Sequence, residues 1–182
     1  MMNFHQSALD AAHLIKNFVR ETPVEQSHWL SEETGAYVWL KCENLQHTGS
    51  FKFRGAVNKL LSLSDEERSS GVVSASTGNH GAAVARATFL LETRCTIFVP
   101  ENASPAKLQA IKAYGAQIAK EGDDCLVAEA AGRLYASENE MTYVSPYNDP
   151  EIVAGQGTAG VELIKQLPDV EVLFVSLGGG GL

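Results

Sequence analysis

The chain has 182 residues, of which 45% are hydrophobic and 20% are charged, so it can bury the core of one domain or of two small lobes. Its net charge of -8 argues against a nucleic-acid or anionic-membrane partner, because both would repel it. No apolar run approaches the roughly eighteen residues of a membrane span, and Met1 to Leu9 lacks the pattern of a secretory signal. The cysteines Cys42, Cys95 and Cys125 form no CxxC pair, so we expect reduced, mostly buried thiols in a cytoplasmic protein and no metal site.

The N-terminal part of the chain predicts a helix followed by two strands. Helical periodicity runs from Gln6 to Phe18. Pro23 then fixes its own φ angle and biases the residue before it toward an extended conformation. Strands are predicted from Val24 to Trp29 and from Tyr37 to Cys42, with a turn at Gly35 between them, and this pair indicates a hairpin.

From Ser50 onward, predicted helices and strands alternate. Short strands between helices of ten or more residues indicate βαβ units and a parallel sheet with helices on both faces, which is a doubly wound α/β fold. Ser104 and Pro105 fit the cap and the first position of one helix. The helices are predicted at 51–63, 79–91, 104–113, 123–137 and 150–167, and the strands at 71–75, 94–99, 117–120, 142–144 and 170–177.

Four glycines, Gly178 to Gly181, follow directly on the last predicted strand. Without Cβ atoms, backbone N–H groups can turn toward an anion at no steric cost, and ligands of open α/β sheets bind at the carboxyl ends of strands. The run lacks both the Lys-Ser or Lys-Thr of a Walker loop and the spacing of the dinucleotide fingerprint. It therefore predicts a phosphate cradle, with a tight turn or a flexible tail as the alternatives.

A second loop, Ser76 to Gly81, lies between a predicted strand and a predicted helix. Small and hydroxyl residues at a helix N-terminus expose backbone N–H groups and side-chain donors, which suit a carboxylate or a phosphate. The alternative is ordinary capping of the helix by Ser76 or Thr77. His80, taken alone, is more typical of a structural histidine than of a catalyst.

Lys52 lies near the start of a predicted helix, where the positive end of the helix dipole disfavours a cation. Phe51 and Phe53 flank it, and Arg54 follows. Burial among aromatic rings and a neighbouring cation both lower the pKa of an amine. A lysine of this kind can form a Schiff base and can act as a base, although most lysines at such positions are simply solvated.

Together, these three stretches resemble the pyridoxal-phosphate enzymes of the tryptophan-synthase-β type, also called fold type II. Within that group the chain is most similar to the threonine and serine dehydratases and the serine racemases, and His80 after Asn79 is typical of the dehydratase branch. The resemblance covers nearly the whole chain. It is carried by Ser50 to Ala56, Ser76 to Gly81, Ala154 to Thr158 and Gly178 to Leu182, with further matches at Thr22-Pro23 and at Lys41 to Gln46.

The resemblance implies pyridoxal 5'-phosphate as the cofactor and assigns roles to individual residues. Lys52 would carry the cofactor as a Schiff base, Phe51 would pack beside its ring, and Asn79 would bond its 3-hydroxyl group. The phosphate would be held by Gly178, Gly179, Gly180, Gly181 and Leu182. The pocket for the substrate carboxylate would be lined by Ser76, Thr77, Gly78, Asn79 and His80.

The reaction that the resemblance implies is α,β-elimination of a 3-hydroxy amino acid, such as threonine, serine or 3-hydroxyaspartate, to a 2-oxo acid and ammonia. Racemases of this kind use a serine at the position of Thr77 as a second acid/base. Threonine keeps the hydroxyl but adds a methyl group that restricts its rotation, so Thr77 is a catalytic candidate and elimination is favoured. The alternatives are amino-acid racemisation and a non-catalytic phosphate-binding α/β module.

Fold type II enzymes have two lobes and usually continue far beyond the glycine run, so we expect this chain to be an N-terminal fragment. Residues 1–50 and 145–182 would belong to the larger lobe, which would be incomplete, and residues 51–144 would form the smaller α/β lobe. Such a fragment would bind the cofactor poorly and have impaired activity. The full-length form is expected to be a cytoplasmic homodimer that binds a small amino-acid substrate.

Overall fold

A computed structural model describes residues 3–182; Met1 and Met2, at the start of the segment assigned above to the larger lobe, lie outside the described residues. The helices are α1 (Phe4–Ile15), α2 (His28–Thr34), α3 (Lys52–Ser62), α4 (Asp65–Ser70), α5 (Asn79–Leu90), α6 (Pro105–Ala113), α7 (Cys125–Glu138) and α8 (Pro150–Gln166), with a short 3-10 helix at Glu43–Leu45. The strands are β1 (Val24–Gln26), β2 (Trp39–Lys41), β3 (Val72–Ala75), β4 (Cys95–Val99), β5 (Gln117–Lys120) and β6 (Thr142–Tyr143).

Strands β3 to β6 form one parallel sheet in the order β5-β4-β3-β6. Within this sheet, β3 comes first along the chain, β4 and β5 are added successively on one side of it, and β6 is then added on its other side. The direction of strand addition therefore reverses between β3 and β6, which in open α/β sheets is where ligands bind. The prediction of a parallel α/β sheet is confirmed.

Helices cover both faces of this sheet, because alternate residues of its strands are apolar on opposite sides. Val72 and Ile97 belong to a core that includes residues of α3 and α5, whereas Val73 and Phe98 pack with Ala128 and other residues of α7. The sheet is therefore doubly wound, as predicted from the alternation of elements.

Helices α3 and α8 cross at very short distance, because glycines face each other at the crossing. A Cβ atom placed on Gly155 would lie 2.6 Å from the Cα of Gly55, and one placed on Gly55 would lie 2.7 Å from the carbonyl oxygen of Ile152. The N–H of Gly55 donates to the side-chain oxygen of buried Gln156 at 3.1 Å. This contact fixes the first turn of α3, and with it Lys52, against α8.

The N-terminal strand pair is antiparallel as predicted, with Glu25 opposite Leu40, but a helix connects its strands instead of a short turn. The strand predicted to reach Trp29 ends at Gln26. Ser27 instead caps α2, because its side chain accepts a bond from the N–H of Leu30. Gly35 then ends α2 in the left-handed region, with φ of 69°.

Helix α4 was not predicted, although its sequence carries a recognisable start signal. Ser64 accepts a bond from the N–H of Glu67, and the Glu67 side chain accepts one from the N–H of Ser64. This capping box could have revealed the helix from the Ser-x-x-Glu spacing alone.

The predicted strand at 170–177 is wrong. Within residues 3–182 no strand pairs with this segment, and a strand exists only where a neighbour completes its backbone hydrogen bonds. Its apolar side chains are exposed, and Phe174 and Leu177 expose 94% and 86% of their surface. Apolar character alone therefore predicted a strand for which the described residues supply no partner.

The three thiols are free, as predicted, but only Cys95 is buried, whereas Cys42 is half-buried and Cys125 is exposed. Among residues 3–182, no helix combines the length and the apolar character that crossing a bilayer requires. The division into lobes at 1–50, 51–144 and 145–182 stays a prediction.

Substituting Gly155→Ala is expected to lower the free energy of unfolding by about 2 kcal/mol or more, because the new methyl group would overlap the backbone of α3. Gly160→Ala, on the same helix, is the matched control. A Cβ there would meet nothing within 4 Å, so helix propensity should raise stability by about 0.5–1 kcal/mol. Urea unfolding measures both, and equal effects of the two substitutions would contradict the close crossing.

Candidate active site

The predicted functional stretches meet beside the carboxyl ends of β3 and β6, where strand addition reverses. The chain segment Val144 to Tyr147, which directly follows β6, contacts all three of them. Lys52 and His80 bond carbonyl oxygens of this segment, and the glycine run packs against it. The structure thus brings together residues that are far apart in sequence, at the edge of the sheet where open α/β folds form their ligand crevice.

Lys52 is the first residue of α3, and its amine is held at the crevice. The Nζ atom donates to the carbonyl oxygen of Pro146 at 2.6 Å and lies 5.1 Å from the ring centroid of Phe51. Partial burial lowers the pKa of Lys52. The direction agrees with the sequence argument, but the cause does not include Arg54, whose side chain is occupied by two carboxylates.

The loop between β3 and α5 leaves the N-terminus of α5 open. The cap position is Gly78, which has no side chain, so the alternative of capping by Ser76 or Thr77 is wrong. Ser76 instead accepts a bond from the N–H of Gly78 at 3.2 Å. Within the described part of the chain, the N–H groups of Asn79 and His80 donate no hydrogen bond. Free N–H groups at the positive end of a helix favour an anion.

His80 is buried, and its ring bonds the protein itself. Its Nε2 atom lies 3.1 Å from the carbonyl oxygen of Val144, which can only accept, so Nε2 carries the proton. Burial lowers the pKa of His80 to about 4, and the positive charge of Lys52 acts in the same direction. The ring is therefore neutral near pH 7, and what His80 offers an anion at the start of α5 is its backbone N–H.

The glycine run passes so close to Tyr147 that side chains do not fit at two of its positions. A Cβ atom on Gly179 would lie 2.7 Å from Cγ of Tyr147, and one on Gly181 would lie 2.7 Å from its Cα and 3.2 Å from the Pro146 oxygen. Gly180 has φ of 78°, which disfavours any other residue. Because Lys52 bonds the same Pro146 oxygen, the amine and the glycine run lie side by side.

A buried ion cluster supports the helix that carries Lys52. The fully buried guanidinium of Arg54 donates to Glu43 at 2.7 and 2.9 Å and to Glu162 at 2.6 and 2.8 Å. Lys41 adds a bond of 2.6 Å to Glu162. Burial alone would lower the pKa of Arg54, but these bonds outweigh it and raise it. The cluster was missed because Glu43 and Glu162 lie 11 and 108 residues from Arg54, and no local pattern relates them.

Pro146 and Tyr147 were also missed as site residues. The sequence predicts only a lobe boundary here, between residues 144 and 145. Their contacts with Lys52 and the glycine run depend on the sheet order, which local sequence does not reveal. Ser74, which donates to the Val144 carbonyl at 2.8 Å, was missed for the same reason.

An amine, an open helix N-terminus and a loop without side chains fit a cofactor that carries both an aldehyde and a phosphate. The family described as pyridoxal-phosphate dependent enzyme matches residues 15–182. The chain belongs to this family. The predicted cofactor class and fold type II are thereby confirmed, while the role of each site residue stays a prediction.

Known members of the family are similar over most of this chain. L-threo-3-hydroxyaspartate ammonia-lyase of Saccharomyces cerevisiae is 44% identical over 174 residues, which cover 96% of this chain and 53% of that protein. The processed form of threonine deaminase isoform 2 from Solanum lycopersicum has a TM-score of 0.93 at 33% identity, covering 98% of this chain and 49% of that one. Serine racemase from Dictyostelium discoideum has a TM-score of 0.84 at 37% identity, covering 91% and 54%. The chain therefore spans about half the length of the relatives it matches.

The ion cluster predicts a loss of stability in acid. Burial alone would raise the pKa of Glu43, but hydrogen bonds from Arg54 and Thr22 and the charges of Arg54 and Lys41 lower it below 4.5. Because the folded state has the lower pKa, the stabilisation is present above the unfolded pKa and is lost as pH falls through the folded one.

Glu43→Gln is expected to lower the free energy of unfolding at pH 7 by about 2–3 kcal/mol, because the charge of Arg54 then lacks one partner. The difference from the unsubstituted chain should shrink as pH falls below 4.5. Urea unfolding between pH 3 and 7 measures it, and Glu32→Gln, at an exposed position, is the control. A difference that does not change with pH would contradict the charged cluster.

Proposed function

We propose that the protein catalyses a pyridoxal-phosphate-dependent α,β-elimination of a 3-hydroxy amino acid, which yields a 2-oxo acid and ammonia. The observation that carries the proposal is the meeting of Lys52, the open N-terminus of α5 and the glycine run on the segment Val144 to Tyr147. The similar ammonia-lyase and threonine deaminase support elimination as the reaction class.

The residues around the crevice divide between the ends of the cofactor. Lys52 Nζ would bind its aldehyde carbon, Asn79 would bond its ring hydroxyl, and Phe51 would lie against its ring. The run Gly178 to Leu182 would hold the phosphate through backbone N–H groups. A Cβ on Gly179 or Gly181 would strike Tyr147, so these two positions require glycine for the run to follow this path. Bound pyridoxal phosphate supplies an electron sink for the negative charge that develops at the substrate Cα.

The open end of α5 would bind and orient the substrate. Its free N–H groups, with the side chains of Ser76 and Thr77, favour a carboxylate because the helix dipole is positive there. A carboxylate held on this loop would lie near Lys52, because His80 and Lys52 both bond the segment Val144 to Tyr147, and Lys52 Nζ would take the Cα proton. The lowered pKa of Lys52 increases the neutral, basic fraction of the amine.

Thr77 bears on the choice between elimination and racemisation. Thr77 is half-buried in the loop before α5. The resemblance to the family implies a serine at the matching position of the racemases. The similarity to a serine racemase keeps racemisation as the second candidate. The methyl group of threonine restricts rotation of the hydroxyl, which favours elimination.

We also infer a small amino acid as the substrate, a cytoplasmic location and a homodimeric full-length form. Free thiols at three positions support the location, since reducing compartments keep thiols unpaired. The dimer is supported only by the resemblance to the family.

Lys52→Ala is expected to abolish covalent attachment of the cofactor, because its amine is the only group proposed to form the bond. Incubation with excess pyridoxal phosphate, borohydride reduction and peptide mass spectrometry should place the pyridoxyl group on Lys52 of the unsubstituted chain. The control is Lys59→Ala, on the same helix, where the amine is paired with Asp149 at 2.8 Å. Equal labelling of many lysines would contradict a specific site and would favour a non-catalytic phosphate-binding module.

With L-threonine or L-serine, the chain loaded with cofactor is expected to release a 2-oxo acid, and Lys52→Ala should lower that rate by about 100-fold or more through loss of the base. Chromatography of the 2-oxo acid and of the two serine enantiomers measures both reactions together. Thr77→Ser should raise the ratio of D-serine to 2-oxo acid, because the hydroxyl gains rotational freedom. An excess of D-serine from the unsubstituted chain would contradict elimination as the main activity.

A further inference from the structure

One backbone carbonyl in the crevice, that of Val144, is held by two side chains at once. The hydroxyl of Ser74 donates to it at 2.8 Å, and Nε2 of His80 donates at 3.1 Å. The N–H of the same residue donates to the carbonyl of Val73 at 2.8 Å. Val144 is fully buried. Its N–H group is bonded to the sheet, and its carbonyl is bonded to both the sheet and α5.

The residues that follow Val144 contact both proposed cofactor-binding parts. The hydroxyl of Ser145 accepts the N–H of Asn148 at 3.1 Å, which shapes the turn. The carbonyl of Pro146 accepts Lys52 at 2.6 Å, and Tyr147 packs against the glycine run. A displacement of Val144 would therefore move the support of the amine and of the glycine run together.

Within residues 3–182, the bond to Val144 is the one hydrogen bond of the His80 side chain. Its Nδ1 atom is buried and finds no hydrogen-bond partner among the described residues. Only 3% of the residue surface is exposed. A buried ring whose N–H is used by a carbonyl is suited to holding that carbonyl rather than to contacting a substrate.

We propose that His80 is a positioning residue, whose ring holds the Val144 carbonyl and so places the Pro146 carbonyl against Lys52 and Tyr147 against the glycine run. The inference rests on the proposed function for the roles of Lys52 and the glycines. It assigns the His80 ring to the architecture of the site and leaves the anion to the backbone N–H groups at the start of α5.

The test compares two substitutions of the ring. His80→Phe keeps the ring volume but removes the donor, whereas His80→Gln keeps a side-chain N–H at a similar reach. In His80→Phe, hydrogen exchange at the amides of Tyr147 and Asn148 should accelerate about tenfold through loss of one buried bond. Borohydride trapping of pyridoxal phosphate at Lys52 should fall by a similar factor, and His80→Gln should restore both.

Thr88→Val is the matched control for a merely structural effect. Thr88 is buried in the same helix, but its hydroxyl lies 3.0 and 2.9 Å from carbonyls of α5 itself and otherwise bonds the thiol of Cys95 on β4, away from Val144. This substitution should change stability without changing exchange at Tyr147 and Asn148 or trapping at Lys52. Unchanged exchange in folded His80→Phe, or equal effects of His80→Phe and Thr88→Val, would overturn the proposal.

A measurement on the unsubstituted chain covers the case in which His80→Phe does not fold. Nitrogen NMR of histidine-labelled protein should show His80 neutral, with the proton on Nε2; a proton on Nδ1 or a charged ring would overturn the proposal. Exchange and tautomer are read without cofactor. Absence of trapping at Lys52 in the unsubstituted chain would therefore count against the proposed function, whereas the exchange comparison would still decide the role of His80.

Discussion

The ion pairs of the buried Arg54 guanidinium with Glu43 and Glu162 are the interaction on which the rest of the site depends. The guanidinium joins the 3-10 helix through Glu43, α8 through Glu162 and its own helix α3, and it exposes none of its surface. An isolated charge at such a depth would be strongly destabilising, so the two carboxylates must accompany it. Lys52 lies two residues before Arg54. The same bonds that neutralise the charge of Arg54 therefore also fix the start of α3, which carries the amine of Lys52.

The ion cluster and the glycine crossing constrain α3 in complementary ways. Gly55 and Gly155 let the backbones of α3 and α8 approach until no Cβ fits, and the side chain of Gln156 takes up a free N–H of the first turn. Hydrogen bonds of Arg54 then set the direction of the helix. A rigid first turn is what a covalently bound cofactor would need, because its ring must keep a constant position relative to the anion sites.

The segment Val144 to Tyr147 connects this rigid helix with the sheet. It leaves β6 where strand addition reverses, so it lies beside the loop that follows β3. Pro146 contacts Lys52, and Tyr147 packs against the glycine run, so one short stretch of backbone supports both the amine and the glycines. The amine of Lys52 is half-buried, so burial lowers its pKa, and the carbonyl of Pro146 accepts a hydrogen bond from it.

Much of this protein could be predicted from its sequence. The parallel α/β sheet follows from the alternation of apolar strands and helices, and the resemblance in the lysine, Ser76 to Gly81 and glycine stretches leads to the family that the comparison confirms. These features are local, since spacing and glycine content carry them. The helix start at Ser64 and Glu67 was equally local, although it was overlooked.

Only the tertiary structure decided how those stretches are combined. The strand predicted at 170–177 finds no pairing partner among the described residues, because pairing depends on a neighbour and not on apolar character. The partners of Arg54 and the use of the His80 ring depend on α8 and on the residue after β6, which lie many positions away in sequence. The folded chain determines such contacts, because sheet order and helix crossing bring together groups that no local pattern relates.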